Sequence, residues 1–205
     1  MAQPTFETER LVLRPFAVGD APAVQRLAGR REIADTTISI PHPYSLRMAE
    51  EWIAGQADSC AEEKSVVFAI ELKSEGGLIG AIGLRDIDRE HAQAEMGFWV
   101  GVEWWGEGYA SEAARAVLCF GFGQLELNRI YAHHMIRNPA SGRVLERIGM
   151  LREGLLRQRV RKWGIFEDVV LLAILRGEWV SDSGAQRGGT TPSRVRGVED
   201  ANPKL

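Results

Sequence analysis

Residues 105–113 read Trp-Gly-Glu-Gly-Tyr-Ala-Ser-Glu-Ala and stand between a strand-like run, residues 94–100, and a helix-like run, residues 109–125. Glycines at the start of a helix let backbone N–H groups approach a ligand closely. The N–H groups of the first helical turn have no partners within the helix, and the helix dipole places partial positive charge there. The stretch therefore predicts a site for an anion, most often a phosphate or pyrophosphate.

Strand-like and helix-like runs follow one another in a definite order on both sides of this stretch. Apolar–polar alternation and buried apolar runs predict strands at residues 10–16, 66–72, 78–84, 92–100, 129–135, 151–160 and 166–175. Helical periodicity and capping residues predict helices at residues 21–27, 45–61, 109–125 and 138–148. This order predicts an α/β (α+β) fold with a mixed, mostly antiparallel sheet of six to seven strands flanked by helices.

Composition places the chain among ordinary soluble globular proteins. It has 205 residues, of which 45% are hydrophobic and 26% charged, and we expect one domain over residues 1–180. Residues 181–205 are rich in Gly, Ser, Thr and Pro with few large apolar side chains, so we expect a flexible tail. The net charge of −3 argues against a nucleic-acid partner held by bulk phosphate attraction.

Targeting and redox signals favour the cytoplasm. No apolar run approaches the ~20 residues of a membrane span, so we expect no membrane partner. The polar residues 1–10 do not resemble a signal peptide. Cys60 and Cys119 fit no metal-ligand spacing, and we expect no metal. Cys119 lies in an apolar helical run, which predicts a buried thiol.

Two common phosphate-binding patterns fit the glycine stretch poorly. Gly106-x-Gly108-x-x-Ser111 partly matches the dinucleotide fingerprint, but the strand at residues 129–135 carries no carboxylate for a ribose. The loop also follows several strands instead of opening the fold. No Gly-Lys-Ser/Thr follows, which excludes the nucleoside-triphosphate loop.

An ordered set of motifs instead resembles the RimJ/RimL branch of the GNAT N-acetyltransferases. Trp105-x-x-Gly108-x-Ala110 is similar to the pyrophosphate loop of that family, although Trp105 stands where Arg or Gln is usual. The other matching stretches are Glu7–Arg14, Pro43-Tyr44, Glu51–Ile53, Ala94–Trp99, Asn138–Met150, Asp168 and Arg176–Trp179. Together these stretches cover the chain from about residue 5 to residue 180 in the order that the family shows.

The resemblance implies acetyl-CoA as the cosubstrate and assigns residues to it. Anion binding would depend more on backbone N–H groups than on a side chain, because Trp105 replaces the usual Arg or Gln. Backbone groups of residues 98–100 would bind the pantetheine arm as an added strand would. The implied cofactor-binding residues are Phe98, Trp99, Val100, Trp105, Gly106, Glu107, Gly108, Tyr109, Ala110, Asn138 and Ser141. Asn138 is equally a candidate N-cap for the helix that follows it.

The resemblance also implies catalytic residues. Glu95 is the candidate base, acting directly or through a water, with a structural or amine-orienting carboxylate as the alternative. Many members use a tyrosine as general acid toward the leaving thiolate, and Leu145 stands at the matching position. Ser141 is the motif-matched hydroxyl and becomes the candidate general acid or thiolate donor.

Several residues are candidates for contact with the acceptor amine. By resemblance, His42 and Tyr44 lie in a proline-containing loop that overhangs the substrate site. Glu95 is the third candidate for contact with the amine. His133 and His134 look like a ligand pair, but adjacent strand residues face opposite sides of a sheet. We therefore interpret both histidines as ordinary sheet residues.

The implied activity is acetyl transfer from acetyl-CoA to a primary amine, by direct attack in a ternary complex. The acceptor is either a protein N-terminal α-amine, such as that of a ribosomal protein, or a small-molecule amine. Another acyl group, such as succinyl, stays open. The alternatives from other classes are a catalytically silent acyl-CoA-binding module and a nicotinamide-dependent oxidoreductase. A homodimer is common in the family that the chain resembles.

Overall fold

The computed structural model describes residues 3–179, so the predicted tail at residues 181–205 lies outside the described residues. The strands are β1 (Phe6–Glu7), β2 (Leu11–Arg14), β3 (Val66–Leu72), β4 (Gly77–Asp88), β5 (Gln93–Val100), β6 (Arg129–Met135), β7 (Leu151–Lys162) and β8 (Ile165–Leu175). The α-helices are α1 (Ala21–Ala28), α2 (Arg31–Thr36), α3 (Leu46–Ala61), α4 (Tyr109–Gly123) and α5 (Pro139–Arg147).

The strands form one sheet in the order β1-β2-β3-β4-β5-β6-β8-β7. Every neighbouring pair is antiparallel except β5 and β6, which are parallel. The prediction of a mixed, mostly antiparallel sheet flanked by helices is confirmed. The sheet has eight strands, one more than the predicted range, because the two-residue β1 pairs with β2. Helix α2 was also not predicted.

Helices cover both faces of the sheet. On one face, α4 and α5 enclose a core that includes Phe68, Ile82, Met96, Val117 and Leu118, all almost fully buried. On the other face, α1 and α3 pack small and apolar residues against the centre of the sheet. Burial of each large apolar side chain contributes about 2 kcal/mol, so this two-sided core is the main stabilising feature of the fold.

The thiol of Cys119 does not lie in this core. Cys119 is exposed, whereas Cys60 is buried, so the prediction of a buried Cys119 was wrong. On α4 the neighbouring residues Val117, Leu118 and Phe120 face the sheet, and Cys119 falls on the opposite side of the helix.

The parallel pair β5–β6 separates part of the way along its length. Backbone pairing joins Gln93 to Arg129, Ala94 to Ile130 and Glu95 to Tyr131. Beyond Glu95 the two strands do not pair with each other, although β5 continues to Val100 and β6 to Met135. The side of β5 that faces this gap therefore offers free backbone donors and acceptors.

Among residues 3–179, no helix is long and apolar enough to cross a membrane.

Candidate active site

The start of α4 forms a cradle of backbone N–H groups beside the gap in the sheet. Gly106 and Gly108 have φ values of +88° and +83°, which a residue with a Cβ adopts only at a cost of about 1–2 kcal/mol. Gly108 is the N-cap and offers no side chain, so the first-turn N–H groups stay free for a ligand. Ser111 in the same turn is only 6% exposed, and its buried hydroxyl has no hydrogen-bond partner among the described residues. A phosphate oxygen would satisfy both kinds of donor.

A latch formed by Thr8, Arg10 and Glu112 holds this cradle against the first hairpin. Oε1 of Glu112 accepts hydrogen bonds from the Thr8 hydroxyl (2.6 Å) and from the Arg10 backbone N–H (2.8 Å). Its Oε2 accepts from Nε of Arg10 at 2.7 Å. Arg10 also donates to the carbonyl of Glu107 at 3.0 Å and lies over the ring of Tyr109. The latch gives Thr8 and Arg10 a structural role, because they fix the loop that carries the glycines.

Trp105 also has a structural role. Its indole N–H donates to the carbonyl of Val100 at 2.7 Å, while 47% of the residue stays exposed. This bond closes the irregular segment between β5 and α4. The tryptophan therefore anchors the loop through its ring, where an arginine or glutamine would offer a charge or an amide.

Replacement of Trp105 with phenylalanine tests this anchor. Phenylalanine keeps most of the apolar contact but lacks the indole N–H, the hydrogen-bond donor of the tryptophan side chain. We therefore expect the free energy of unfolding to fall by about 1 kcal/mol. Urea unfolding of the two proteins measures the difference. Equal midpoints would contradict an anchoring role for the indole N–H.

One cavity of about 1230 Å³ runs from the cradle, past the gap between β5 and β6, to helices α1 and α3. We call the part lined by Val24, Trp52, Glu95 and Trp99 the second chamber. Typical sites for one small molecule measure roughly 300–1,000 Å³, so this space suits two ligands. Predicted site residues that line it are Tyr44, Glu95, Phe98, Trp99, Val100, Trp105, Gly106, Gly108, Tyr109, Ala110, Asn138 and Ser141. Glu107 and His42 are not in its wall: the carbonyl of Glu107 accepts from Arg10, and Nδ1 of His42 lies 3.1 Å from the carbonyl of Gly29.

Asn138 caps α5 and joins it to the wall of the second chamber. Its Oδ1 accepts from the backbone N–H of Ser141 at 3.2 Å, which is the predicted N-cap bond. Its Nδ2 donates to the carbonyl of Thr36, at the end of α2, at 3.1 Å. Further along α5, Leu145 is fully buried in the core, so that position has a packing role.

Glu95 lines the second chamber, and its carboxylate contacts the side chains of Arg85 and His133. It is 9% exposed; Nη2 of Arg85 lies 2.6 Å from its Oε1, and Nδ1 of His133 lies 3.2 Å from the same oxygen. Burial raises the pKa of this carboxyl, but hydrogen bonds from His133 and Arg85 outweigh it and hold the pKa below its ordinary value. Glu95 is therefore an ionised, well-satisfied acceptor.

The two histidines of β6 have different environments, as strand alternation predicts. His133 lines the cavity beside Glu95. His134 also lines the cavity, but its Nδ1 lies 2.9 Å from the carbonyl of Met135 and its ring packs against Gly142 of α5, where an added Cβ would lie 2.8 Å from Nε2. The interpretation of both as ordinary sheet residues missed the contact between His133 and Glu95. The pairing of Arg85 with Glu95 was also missed, because it depends on the register of β4 and β5.

A strap of residues 35–40 covers the second chamber and is tied to the far end of the sheet. Nζ of the buried Lys162 donates to the carbonyl of Ile40 at 2.6 Å. Arg137 forms ion pairs with Asp35 at 2.9 Å and with Glu167 at 2.8 Å. These contacts fix one wall of the chamber. Tyr44, Trp52 and Trp99 supply aromatic surface to the cavity.

Comparisons with known proteins agree with this geometry. Residues 10–151 match the family model described as the acetyltransferase (GNAT) domain. The chain is 32% identical over 175 residues to the uncharacterized N-acetyltransferase p20 of Bacillus licheniformis, covering 85% of this chain and 98% of that protein.

Two solved structures with bound ligands have the same fold. Mycobacterium smegmatis RimJ in complex with CoA-disulfide has a TM-score of 0.75 at 25% identity, covering 82% of this chain and 83% of that one. Spermidine N-acetyltransferase from Vibrio cholerae, in complex with CoA and spermine, has a TM-score of 0.73 at 27% identity, covering 83% and 98% respectively.

Proposed function

The chain belongs to the GNAT family of acetyltransferases, in its RimJ/RimL-like branch, and from this premise we propose that it transfers the acetyl group of acetyl-CoA to a single primary amine on a largely apolar body. Residues 1–180 would form the transferase domain. The observation that carries the proposal is the continuous cavity. It joins an anion cradle to a chamber with a carboxylate floor through a gap in the sheet, so two substrates can meet there without a covalent enzyme intermediate. Family membership makes the chain an acyltransferase and removes the oxidoreductase alternative.

The residues around the cradle fit coenzyme A. First-turn N–H groups of α4 and the unpartnered hydroxyl of Ser111 would bind the pyrophosphate. Backbone groups of residues 98–100 that face the gap would hold the pantetheine arm, with Asn138 and Ser141 on the opposite side of the gap. The carbonyl of Val100 already accepts from Trp105, so it contributes least to this contact. Acetyl-CoA supplies the activated acetyl thioester. Ser141 lines the cavity, and its hydroxyl would donate a hydrogen bond to the departing thiolate.

The charges of the second chamber support a monoamine over a polyamine. Two carboxylates line the cavity, Glu51 and Glu95. Arg85 neutralises Glu95, and the side chain of Glu51 is 62% exposed and lies 3.6 Å from Arg47. A polycation needs several carboxylates without partners, because each desolvated ammonium must be paired. The aromatic walls instead suit an amine with an apolar neighbour, either the α-amine of a peptide or a small monoamine.

An acceptor panel tests this proposal by release of free thiol from acetyl-CoA. We expect turnover with small apolar monoamines or with peptides that begin with an apolar residue, and at least about tenfold lower kcat/KM with spermidine, a difference of ~1.4 kcal/mol. Glu51→Gln is the matched control: it should leave the monoamine rate nearly unchanged. Preference for spermidine, lost in Glu51→Gln, would overturn the acceptor class. Succinyl-CoA in the same assay tests the alternative acyl group, and binding of acetyl-CoA without turnover would favour the silent module.

A further inference from the structure

We propose that His133 is the catalytic residue that takes the proton from the acceptor amine, and that Glu95 is a positioning residue that orients it. This role rests on the proposed acetyl transfer to an amine. It reverses the sequence-based expectation, in which Glu95 was the candidate base and His133 an ordinary sheet residue. The two side chains meet at the gap between β5 and β6.

The position of His133 suits a group that meets the acceptor. Glu95 and Tyr131 form the last paired position of β5 and β6, and His133 follows two residues later on the same face of the sheet. Its side chain is 13% exposed and lines the cavity. His133 is therefore buried enough to be held in one orientation and still open to a ligand in the chamber.

The contact with Glu95 fixes the tautomer of the imidazole. Nδ1 lies 3.2 Å from Oε1 of Glu95. An ionised carboxylate can only accept hydrogen bonds, so Nδ1 must carry the hydrogen and donate it. In a neutral ring the lone pair is then on Nε2. A carboxylate that holds a histidine in this tautomer and stabilises the positive charge it gains is a recurrent arrangement in proton transfer.

Arg85 makes Glu95 a weak base in its own right. Its Nη2 donates to the same Oε1 at 2.6 Å, so this oxygen already accepts two hydrogen bonds. The lowered pKa of Glu95 agrees with this geometry. Protonation of Glu95 would break the ion pair with Arg85, whereas protonation of Nε2 in His133 would leave both contacts intact.

Few other charged or titratable groups face the imidazole. Tyr131, on the same strand, meets its ring edge-on with centroids 5.7 Å apart. Arg85 lies on β4 and Glu95 on β5, and the register partner of His133 on β8 is the apolar Leu171. The electrostatic setting of His133 among the described residues is therefore set mainly by one carboxylate and the arginine that shares it.

The proton step balances without a further reactant. An N–H bond of the acceptor ammonium breaks, and a bond between that proton and Nε2 of His133 forms. The positive charge passes from the ammonium to the imidazole, and the amine keeps the electron pair with which it attacks the acetyl carbon. The new C–N bond replaces the C–S bond of the thioester, and the further proton that the attacking nitrogen loses goes to the departing thiolate, which leaves as the CoA thiol. His133 then returns the proton to water. A lysine-like amine, with an ordinary pKa of ~10.4, needs this step more than a weakly basic amine does.

Kinetics with matched acceptors separate a base from a structural residue. The acceptors are an alkylamine and the O-alkylhydroxylamine of equal length, which is already neutral at neutral pH. For His133→Gln we expect about a 100-fold loss of kcat with the alkylamine and a much smaller loss with the hydroxylamine. Glu95→Gln should cost only about tenfold. His91→Gln, a change of an exposed histidine, is the control.

Four results would each contradict the role of His133. Equal losses of kcat with both acceptors would overturn the role of His133, as would a wild-type rate in His133→Gln. In either case, turnover by the wild-type protein would leave the proposed acetyl transfer standing. No turnover by the wild-type protein with any amine would overturn both. Nitrogen NMR of the imidazoles provides a readout independent of activity and of variant folding. We expect the neutral tautomer of His133 to carry its hydrogen on Nδ1, and a neutral tautomer with the hydrogen on Nε2 would contradict the proposal.

Discussion

Replacement of Ala110 with glutamate is expected to weaken the binding of coenzyme A by about 100-fold while the protein stays folded. Ala110 lies in the first turn of α4 and lines the cavity at the proposed pyrophosphate cradle. A carboxylate there would compete for the backbone N–H groups and repel the phosphates. The same charge favours the positive end of the helix dipole, so the fold should keep its stability or gain roughly 0.3–1 kcal/mol.

Ala110→Gln is the matched control, because it has the same shape without the charge. Calorimetric titration with CoA measures both variants, and thermal unfolding without ligand measures their stability. Opposite signs for affinity and stability in Ala110→Glu would be hard to explain by local misfolding. If glutamate and glutamine weaken binding equally, steric filling and not charge is responsible. If neither changes the affinity, the pyrophosphate does not bind at the start of α4.

Replacement of Glu112 with alanine is expected to lower the free energy of unfolding by about 2 kcal/mol, because three donors lose their acceptor. These donors are the Thr8 hydroxyl and the backbone N–H and Nε of Arg10. For a domain of this size the loss corresponds to a fall in Tm of roughly 4–8 °C. The glycine loop would also lose its support, so CoA affinity should fall in the same variant.

Glu112→Gln and a pH series separate the charge from the hydrogen bonds. Burial raises the pKa of Glu112, but hydrogen bonds from Thr8 and Arg10 outweigh it and hold the folded-state pKa below its ordinary value of 4.5. The ionised group therefore stabilises the fold above pH ~4.5, and this stabilisation is lost as the pH falls through the lower folded-state pKa. The gap in stability between wild type and Glu112→Gln should narrow below about pH 4.5. A gap that stays constant down to pH ~3 would contradict a role for the charge.

The larger elements of the fold could be predicted because each carries a local signal. Alternation located seven strands, and caps such as Ser45 and Asn138 marked helix starts that the structure confirms. β1 has two residues and α2 has six, too few for a periodic pattern to emerge. Asp168 matched a family motif without a known reason. In the structure its carboxylate accepts from the backbone N–H of Gln158 at 2.7 Å, which closes an irregularity in the β7–β8 register.

Parts of the site that consist of consecutive residues could be predicted from the sequence. Parts that depend on the pairing register of neighbouring strands could not. The cradle is a continuous stretch, and Glu95 lies in a motif beside it. Its partners Arg85 and His133 come from two other strands, and nothing in their local sequence indicates which carboxylate they meet. Trp105 was unexplained for a similar reason, because its acceptor is a backbone carbonyl in an irregular turn.

The most direct measurement follows an isotopically labelled acetyl group from acetyl-CoA onto the acceptor by mass spectrometry, with parallel titration of free CoA thiol. We predict that the label appears on the nitrogen of an apolar monoamine or a peptide α-amine, with one thiol released for each amine modified. Tight binding of acetyl-CoA with no label on any amine, or label on a group of the protein itself as an obligatory stage, would contradict direct transfer between two substrates that share one cavity.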